Sequence, residues 1–184
     1  MTTRESIIQL GDQLIREKGF NAFSFYDLSK KLKIKNASIH YHFPTKTDLG
    51  LSILKEHSDR LRDLIQLTAT KNPLQKLNAF LSIYETIKSE GRICLVGSLA
   101  TDLKTVDAKM ASALKVFACE ILDWVTAILD DGKREKVFRF QESSRTRALL
   151  IITNMLAALQ LSRLTGEKDF YTIRETALNE ILIN

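Results

Sequence analysis

Between Lys35 and Lys46 the chain carries Lys-Asn-Ala-Ser-Ile-His-Tyr-His-Phe-Pro-Thr-Lys, a run of short polar, imidazole, phenol and ammonium groups. Such groups suit hydrogen bonding to phosphate oxygens and to base edges. A second candidate for chemistry is Cys94, in Gly-Arg-Ile-Cys-Leu-Val-Gly-Ser-Leu from Gly91 to Leu99. It stands next to Arg92 and near an expected helix N-terminus, and both features lower a thiol pKa and favour the reactive thiolate. The competing reading of Cys94 is a buried small hydrophobe. Cys119 falls near an apolar stripe and is expected to be structural. Patterns that would signal catalysis, a His-Glu-x-x-His zinc helix, a Gly-rich phosphate loop or a Gly-x-Ser-x-Gly elbow, do not occur in the sequence. His40 and His42 are two apart, which does not place them on one helical face. No enzymatic activity, metal or cofactor is therefore expected, and a thiol enzyme built on Cys94 would need a base that the sequence does not identify.

Two short helices are needed to position the Lys35–Lys46 run. Ser24 precedes an apolar-periodic segment with Asp27 three positions on, a capping-box arrangement with Asp in place of Glu. Phe25, Leu28 and Leu32 fall on one face, and Lys30, Lys31 and Lys33 fall outside it. Ile34 plugs the turn, and Asn36 or Ser38 is expected to cap the next helix. That helix turns Ile39 and Phe43 inward and leaves Asn36, Ala37, Ser38, His40, Tyr41 and His42 outward. Pro44 stops it, because the residue before a proline disfavours helix, and Thr45 caps a new helix from Lys46. Helix, turn and helix in this order suit a DNA-reading unit whose second helix enters the major groove.

The stretch from Gly19 to Leu49 resembles the DNA-binding domain of the TetR family of bacterial transcriptional regulators. The resemblance rests on Gly19-Phe20, Ser24, Asp27-Leu28, Ile34, Ser38-Ile39, Tyr41-His42-Phe43-Pro44, Lys46 and Leu49, and it covers about the first fifty residues. Two departures stand out. The turn position usually occupied by Gly is Lys33, which carries strain if its φ is positive. Ala37 and Lys35 replace a usual Gly and Ser. The resemblance implies that Ser24, Lys35, Asn36, Ala37, Ser38, His40, Tyr41, His42 and Lys46 contact DNA, with Tyr41, His42 and Lys46 on phosphates and His40 on a base edge. It further implies an all-α protein divided into a helix-turn-helix domain over residues 1–47 and a helical effector-binding and dimerisation domain over 48–184. The partners it implies are a palindromic double-stranded operator, a second copy of the chain and a small-molecule effector. The expected activity is repression in the cytoplasm, relieved by that effector or by thiol modification at Cys94.

The rest of the chain agrees. Of 184 residues, 27 are Lys or Arg and 22 are Asp or Glu, a net charge of +5. Residues 1–50 hold eight bases and five acids, so +3 of that charge sits in the candidate DNA-binding segment. A basic excess suits a polyanion, bound in a salt-sensitive manner. With 45% hydrophobic residues, two prolines and seven glycines, the composition favours helices over a loop-rich or β-rich fold. No continuous apolar run approaches the roughly twenty residues needed to cross a membrane. The start Met-Thr-Thr-Arg-Glu-Ser-Ile-Ile has no signal-peptide pattern, so the two cysteines are expected to be reduced.

Helical spacing continues with Ile7, Ile8, Gly11, Leu14 and Ile15, then a long helix from about Lys46 to Thr70 and one starting at Asn72-Pro73. A short helix from about Cys94 to Leu103 follows. An amphipathic stripe of Met110, Leu114, Phe117, Ile121, Trp124 and Ile128 is expected to end at Asp130-Asp131-Gly132. Two further helices span about Ser143–Leu164 and Lys168–Ile183. Ala148–Leu164 is apolar nearly all round, so it needs burial on most faces. A four-helix interface in a C2 dimer would supply it, through Leu149, Ile152, Leu156, Leu159, Ile173, Ala177 and Ile181. The middle helices are expected to enclose an apolar effector pocket lined by His57, Phe80, Tyr84, Cys94, Leu95, Leu99, Phe117, Trp124 and Met155. A helical adaptor that uses the small N-terminal domain for protein contact is the alternative; the polar surface from Asn36 to Lys46 favours DNA.

Overall fold

A computed structural model describes residues 1–183. Among them are nine α-helices: α1 (Thr3–Lys18), α2 (Phe25–Leu32), α3 (Asn36–His42), α4 (Lys46–Leu67), α5 (Pro73–Ser89), α6 (Leu95–Thr101), α7 (Ala108–Arg134), α8 (Ser144–Thr165) and α9 (Glu167–Asn179). The fold is all-α, as the composition and periodicity require. The chain divides into two compact units. The first holds Met1–Arg60 and Cys94–Phe117, the second Leu61–Ile93 and Ala118–Asn184.

In the first unit, α1 buries Ile7, Ile8, Leu14 and Ile15, the residues its 3.6-period stripe selects. Leu28 of α2, Ile39 of α3, Phe43 and the Leu49–Ile53–Leu54 face of α4 complete that core, and α6 and α7 add Leu95, Leu99, Met110 and Leu114. Each fully buried side chain of this kind contributes about 1.5–3 kcal/mol. In the second unit, α5 supplies Leu77, Phe80, Leu81 and Tyr84. α7 supplies Trp124, Val125, Ile128 and Leu129, and α8 supplies Ile151, Met155 and Leu159. Arg174 of α9 ties to α5, its Nε 2.8 Å from a Glu85 carboxylate oxygen and its guanidinium donating to Asn78 at 2.9 Å.

Two boundaries differ from expectation, each for a packing reason. α7 does not stop at Gly132 but runs to Arg134. Gly132 is a helical residue chosen for closeness, because a Cβ there would lie inside the ring of Phe138. Lys136, at φ +56°, turns the chain back so that Val137 and Phe138 donate to the Gly132 carbonyl at 2.8 and 3.0 Å. α9 ends at Asn179 rather than Ile183. The residues beyond it pair with the α7–α8 loop, where Arg139 N–H donates to Ile181 O at 2.7 Å and Ile183 N–H to Val137 O at 3.2 Å.

α8 also corrects the hydropathy expectation. It has 22 residues and a mean hydropathy of 1.4 in its most apolar window, long and apolar enough to cross a membrane by length and composition alone. Thr153, Asn154 and Gln160 interrupt its apolar run without lowering the average below that level. One face packs on α5 and α9. The rest leaves Leu149, Leu150, Leu161 and Leu164 exposed, Leu164 by 87%. Of the seven residues expected at a dimer interface, Leu149 and Ile173 are exposed and Ile152 and Leu156 half-buried. Leu159, Ala177 and Ile181 instead fill the core of their own unit, because the α8–α9 pairing within the chain takes up that side of both helices.

Candidate nucleic-acid interface

α2 starts where the sequence pattern placed it. Ser24 is extended, its N–H and hydroxyl both donate to one Asp27 oxygen at 2.7 Å, and its Oγ accepts the Asp27 N–H at 3.4 Å. The Ser24 hydroxyl and backbone hydrogen bonds hold the Asp27 carboxyl below its ordinary range. Phe25 is half-buried beneath α3, where the His40 ring meets it edge-on at a centroid distance of 5.0 Å. The turn is made by Lys33 in the left-handed region, φ 56° and ψ 38°, so the strain foreseen for a side chain at this position is present.

α3 begins at Asn36, with extended Lys35 as its N-cap and no side chain closing the first turn. Neither Asn36 nor Ser38 caps it, contrary to expectation. Both residues lie inside the helix, and the cap position falls to a lysine whose side chain has no acceptor. The first-turn N–H groups thus have no side-chain acceptor and point out of the helix with the positive end of its dipole. Ile39 and Phe43 are buried. Lys35, Asn36, Ala37, His40 and Tyr41 are exposed, Tyr41 by 84%, and Ser38 and His42 are half-buried. The Tyr41 and His42 rings meet edge-on at 5.2 Å. Thr45 and Asp48 form a second reciprocal cap at the start of α4.

Lys46, which the resemblance puts on a phosphate, is half-buried. Its ammonium turns inward and donates to the Phe23 carbonyl, 4.2 Å from the centroid of the Phe23 ring and 4.8 Å from that of Phe20. Burial pushes its pKa down, opposed by Asp102 and Asp27. Two side chains on this surface were not singled out from the sequence. Tyr26 is 66% exposed on α2; its signal is an aromatic lying off the Phe25–Leu28–Leu32 stripe. Arg4 of α1 reaches Ser52 at 3.3 Å and stacks 5.2 Å from the Phe43 ring.

A sequence model of the tetR family of bacterial regulatory proteins matches residues 7–53, which contain this surface. A TetR transcriptional regulator from Legionella pneumophila is 30% identical, with 98% of each chain covered and a TM-score of 0.87. The chain belongs to the TetR family. Another TetR-family regulator, from Agrobacterium tumefaciens, is 25% identical over 98% of this chain and 97% of its own, with a TM-score of 0.91. The transcriptional repressor NemR of Escherichia coli is 23% identical over 171 residues, 87% of this chain and 86% of NemR. The structure of its reduced form shares the fold at a TM-score of 0.79. As a TetR-family member the protein is a DNA-binding transcriptional regulator. Regulators of this family bind operators as dimers and answer to small-molecule effectors.

The residues expected around an effector fall in both units. In the first, Leu95, Leu99 and Phe117 are buried, and His57 meets Phe117 edge-on at 6.3 Å. His57 Nε2 lies 2.8 Å from one Asp12 oxygen, while Arg16 lies 3.2 Å from the other. This Asp12–Arg16–His57 cluster was not visible in the sequence, where two charges on a first helix read as solvated surface. In the second unit, Phe80 packs edge-on against Tyr84 at 5.5 Å and Trp124 at 6.0 Å, and Met155 is fully buried.

Burial raises the Asp12 pKa, but the hydrogen bond and charge of His57, joined by Arg16, outweigh it and hold the carboxyl below 3.8. A carboxyl held below its unfolded value stabilises the fold at pH values above that value, and the contribution is lost as pH falls through the folded pKa. Asp12→Asn is expected to lower stability at pH 7 by about 2 kcal/mol in urea unfolding. The gap from wild type should close as pH drops below 3.8; a gap of the same size at pH 3 and pH 7 would refute the charge-based account.

Cys94 is the half-buried N-cap residue of α6. Burial pushes its thiol pKa up, against backbone hydrogen bonds from Gly97 and Val96 and the positive charge of Arg16. The expected thiolate stabilisation by Arg92 is not found, since that guanidinium reaches Glu90 at 3.3 Å and Arg16 is the cation that acts on the sulfur. Cys119 is exposed rather than structural, because its position on α7 lies off the buried stripe.

Proposed function

We propose that the protein is a cytoplasmic repressor that holds a palindromic operator as a homodimer and lets go when Cys94 is modified or when a small apolar ligand enters its helical core. The observation that carries this is the outward face of α3, with Lys35, Asn36, Ala37, His40 and Tyr41 exposed on a helix anchored by buried Ile39 and Phe43. Ser24, Ser38 and His42 flank that face and complete the contact set. Residues 1–47 act as the reading head and 48–184 as the effector-binding and dimerising part. Leucines left exposed along α8, together with Tyr171 and Ile173 of α9, supply apolar surface for a second copy. Release works by population shift, the modified or liganded protein favouring a spacing of the two α3 helices that mismatches the operator. A thiol trigger is supported by the likeness to NemR, whose structure is known in a reduced form.

The test is fluorescence anisotropy on a duplex selected by the wild-type protein from random-sequence DNA, before and after N-ethylmaleimide, with alkylation followed by mass spectrometry. Wild type and Cys119→Ser are expected to lose about tenfold in affinity and Cys94→Ser to lose nothing. Full affinity in protein alkylated at Cys94, or a Cys94 that does not alkylate, would leave a non-covalent ligand as the effector.

A further inference from the structure

We propose that Asp12, Arg16 and His57 are positioning residues that fix the angle between α1 and α4, and with it the spacing at which two recognition helices meet an operator. The inference rests on the homodimer and palindrome of the preceding reading. α1 packs on both α2 and α3, so a swing of α1 against α4 carries the recognition helix with it. α4 is one helix from Lys46 to Leu67 and runs past Arg60, where the first unit's leading segment ends. α1 and α4 approach closely at Gly11, where a Cβ would lie 3.0 Å from Ile53 Cδ1 and 3.2 Å from Leu49 Cδ2. This contact is apolar and therefore non-directional, so by itself it permits the two helices to pivot. The cluster lies one turn further along α4. His57 Nε2 is 2.8 Å from one Asp12 oxygen, and Arg16 is 3.2 Å from the other. A hydrogen bond to a carboxylate so held is directional, and it stops the pivot.

The chemistry of the cluster points to placement before stability. Asp12 and Arg16 are both buried. Burying such charges costs desolvation, and apolar residues of similar volume in their place are often as stable or more so. Asp12 and Arg16 are four apart on one helix, so their pairing holds nothing outside α1. His57 is the member supplied by α4, and Phe117 of α7 meets its ring edge-on at 6.3 Å. The buried Ser98 hydroxyl of α6 donates to the Ile15 carbonyl at 2.6 Å. Polar contacts from Asp12 and from Ile15 thus fasten one stretch of α1 to α4 and to α6.

Half-site spacing separates positioning from packing. Anisotropy is read on the duplex selected by wild type and on duplexes whose half-sites stand one base pair closer or further apart. Wild type is expected to lose about tenfold on the altered spacings. The triple variant Asp12→Leu/Arg16→Met/His57→Leu is expected to fold and to bind all three duplexes within about threefold of one another. His57→Leu alone leaves the Asp12–Arg16 pair in place and should relax the spacing in the same way; it decides the matter if the triple variant fails to fold. His57→Gln, whose side-chain amide can still donate to Asp12, should restore the wild-type preference. Wild-type spacing preference in folded His57→Leu or in the folded triple variant would overturn the proposal, and so would a relaxed preference in His57→Gln. A wild type indifferent to spacing would overturn the palindromic homodimer itself, and the inference with it.

Discussion

Ala37→Glu is expected to abolish specific DNA binding, by at least about a hundredfold, while leaving thermal unfolding within error of wild type. Ala37 is the second residue of α3 and is exposed, so the new side chain displaces no core atom. Glutamate suits the first turn of an isolated helix, since the dipole favours a negative charge there. The same charge placed against a polyanion repels it and fills the space through which uncapped N–H groups reach phosphate. Stability and binding are thus expected to move independently at this position. Anisotropy on the selected duplex and a melting curve followed by circular dichroism read the two effects separately. Wild-type affinity in the folded variant would mean that α3 is not the reading helix.

The largest expected effect on stability comes from the opposite kind of site. Gly132→Ala should destabilise the protein by about 3 kcal/mol, because a single methyl group must occupy the volume of the Phe138 ring. Phe138 is 2% exposed and forms the isolated antiparallel bridge with Leu182. Displacing its ring therefore loosens the segment after α9 as well as the end of α7. Phe138→Ala in the Gly132→Ala background should restore the space but not the buried ring, so the double variant is expected to lose less than the sum of the two single changes. Denaturant unfolding of the four proteins measures this, and strict additivity would show that the two positions do not share one volume.

The reading unit was legible in the sequence because its signals are local. The Ser24–Asp27 cap, the Thr45 cap, the Pro44 stop and the spacing of Leu28, Ile39 and Phe43 each act within a few residues, and each appears in the structure. What the sequence did not show depends on partners far along the chain. Nothing near Asp12 announces His57, forty-five positions away, and nothing near Gly132 announces that it serves a ring rather than a helix end. The ring contacts of Lys46 were hidden for the same reason, since nothing in the sequence places Phe20 and Phe23 beside its ammonium. Leu159, Ala177 and Ile181 show the limit of periodicity, which marks an apolar face without saying whether the face is covered by the same chain or by another.

Lys33 sets folding against encounter. In the left-handed turn between α2 and α3, a glycine would relax the backbone by about 1 kcal/mol. The lysine keeps a cation between exposed Lys31 and Lys35, at the rim of the reading face. On the proposed reading of α3, positive charge so placed would act before contact, drawing the duplex in from a Debye length away and raising the frequency of productive collisions. Lys33→Gly is therefore expected to slow association at low ionic strength while slightly strengthening the fold.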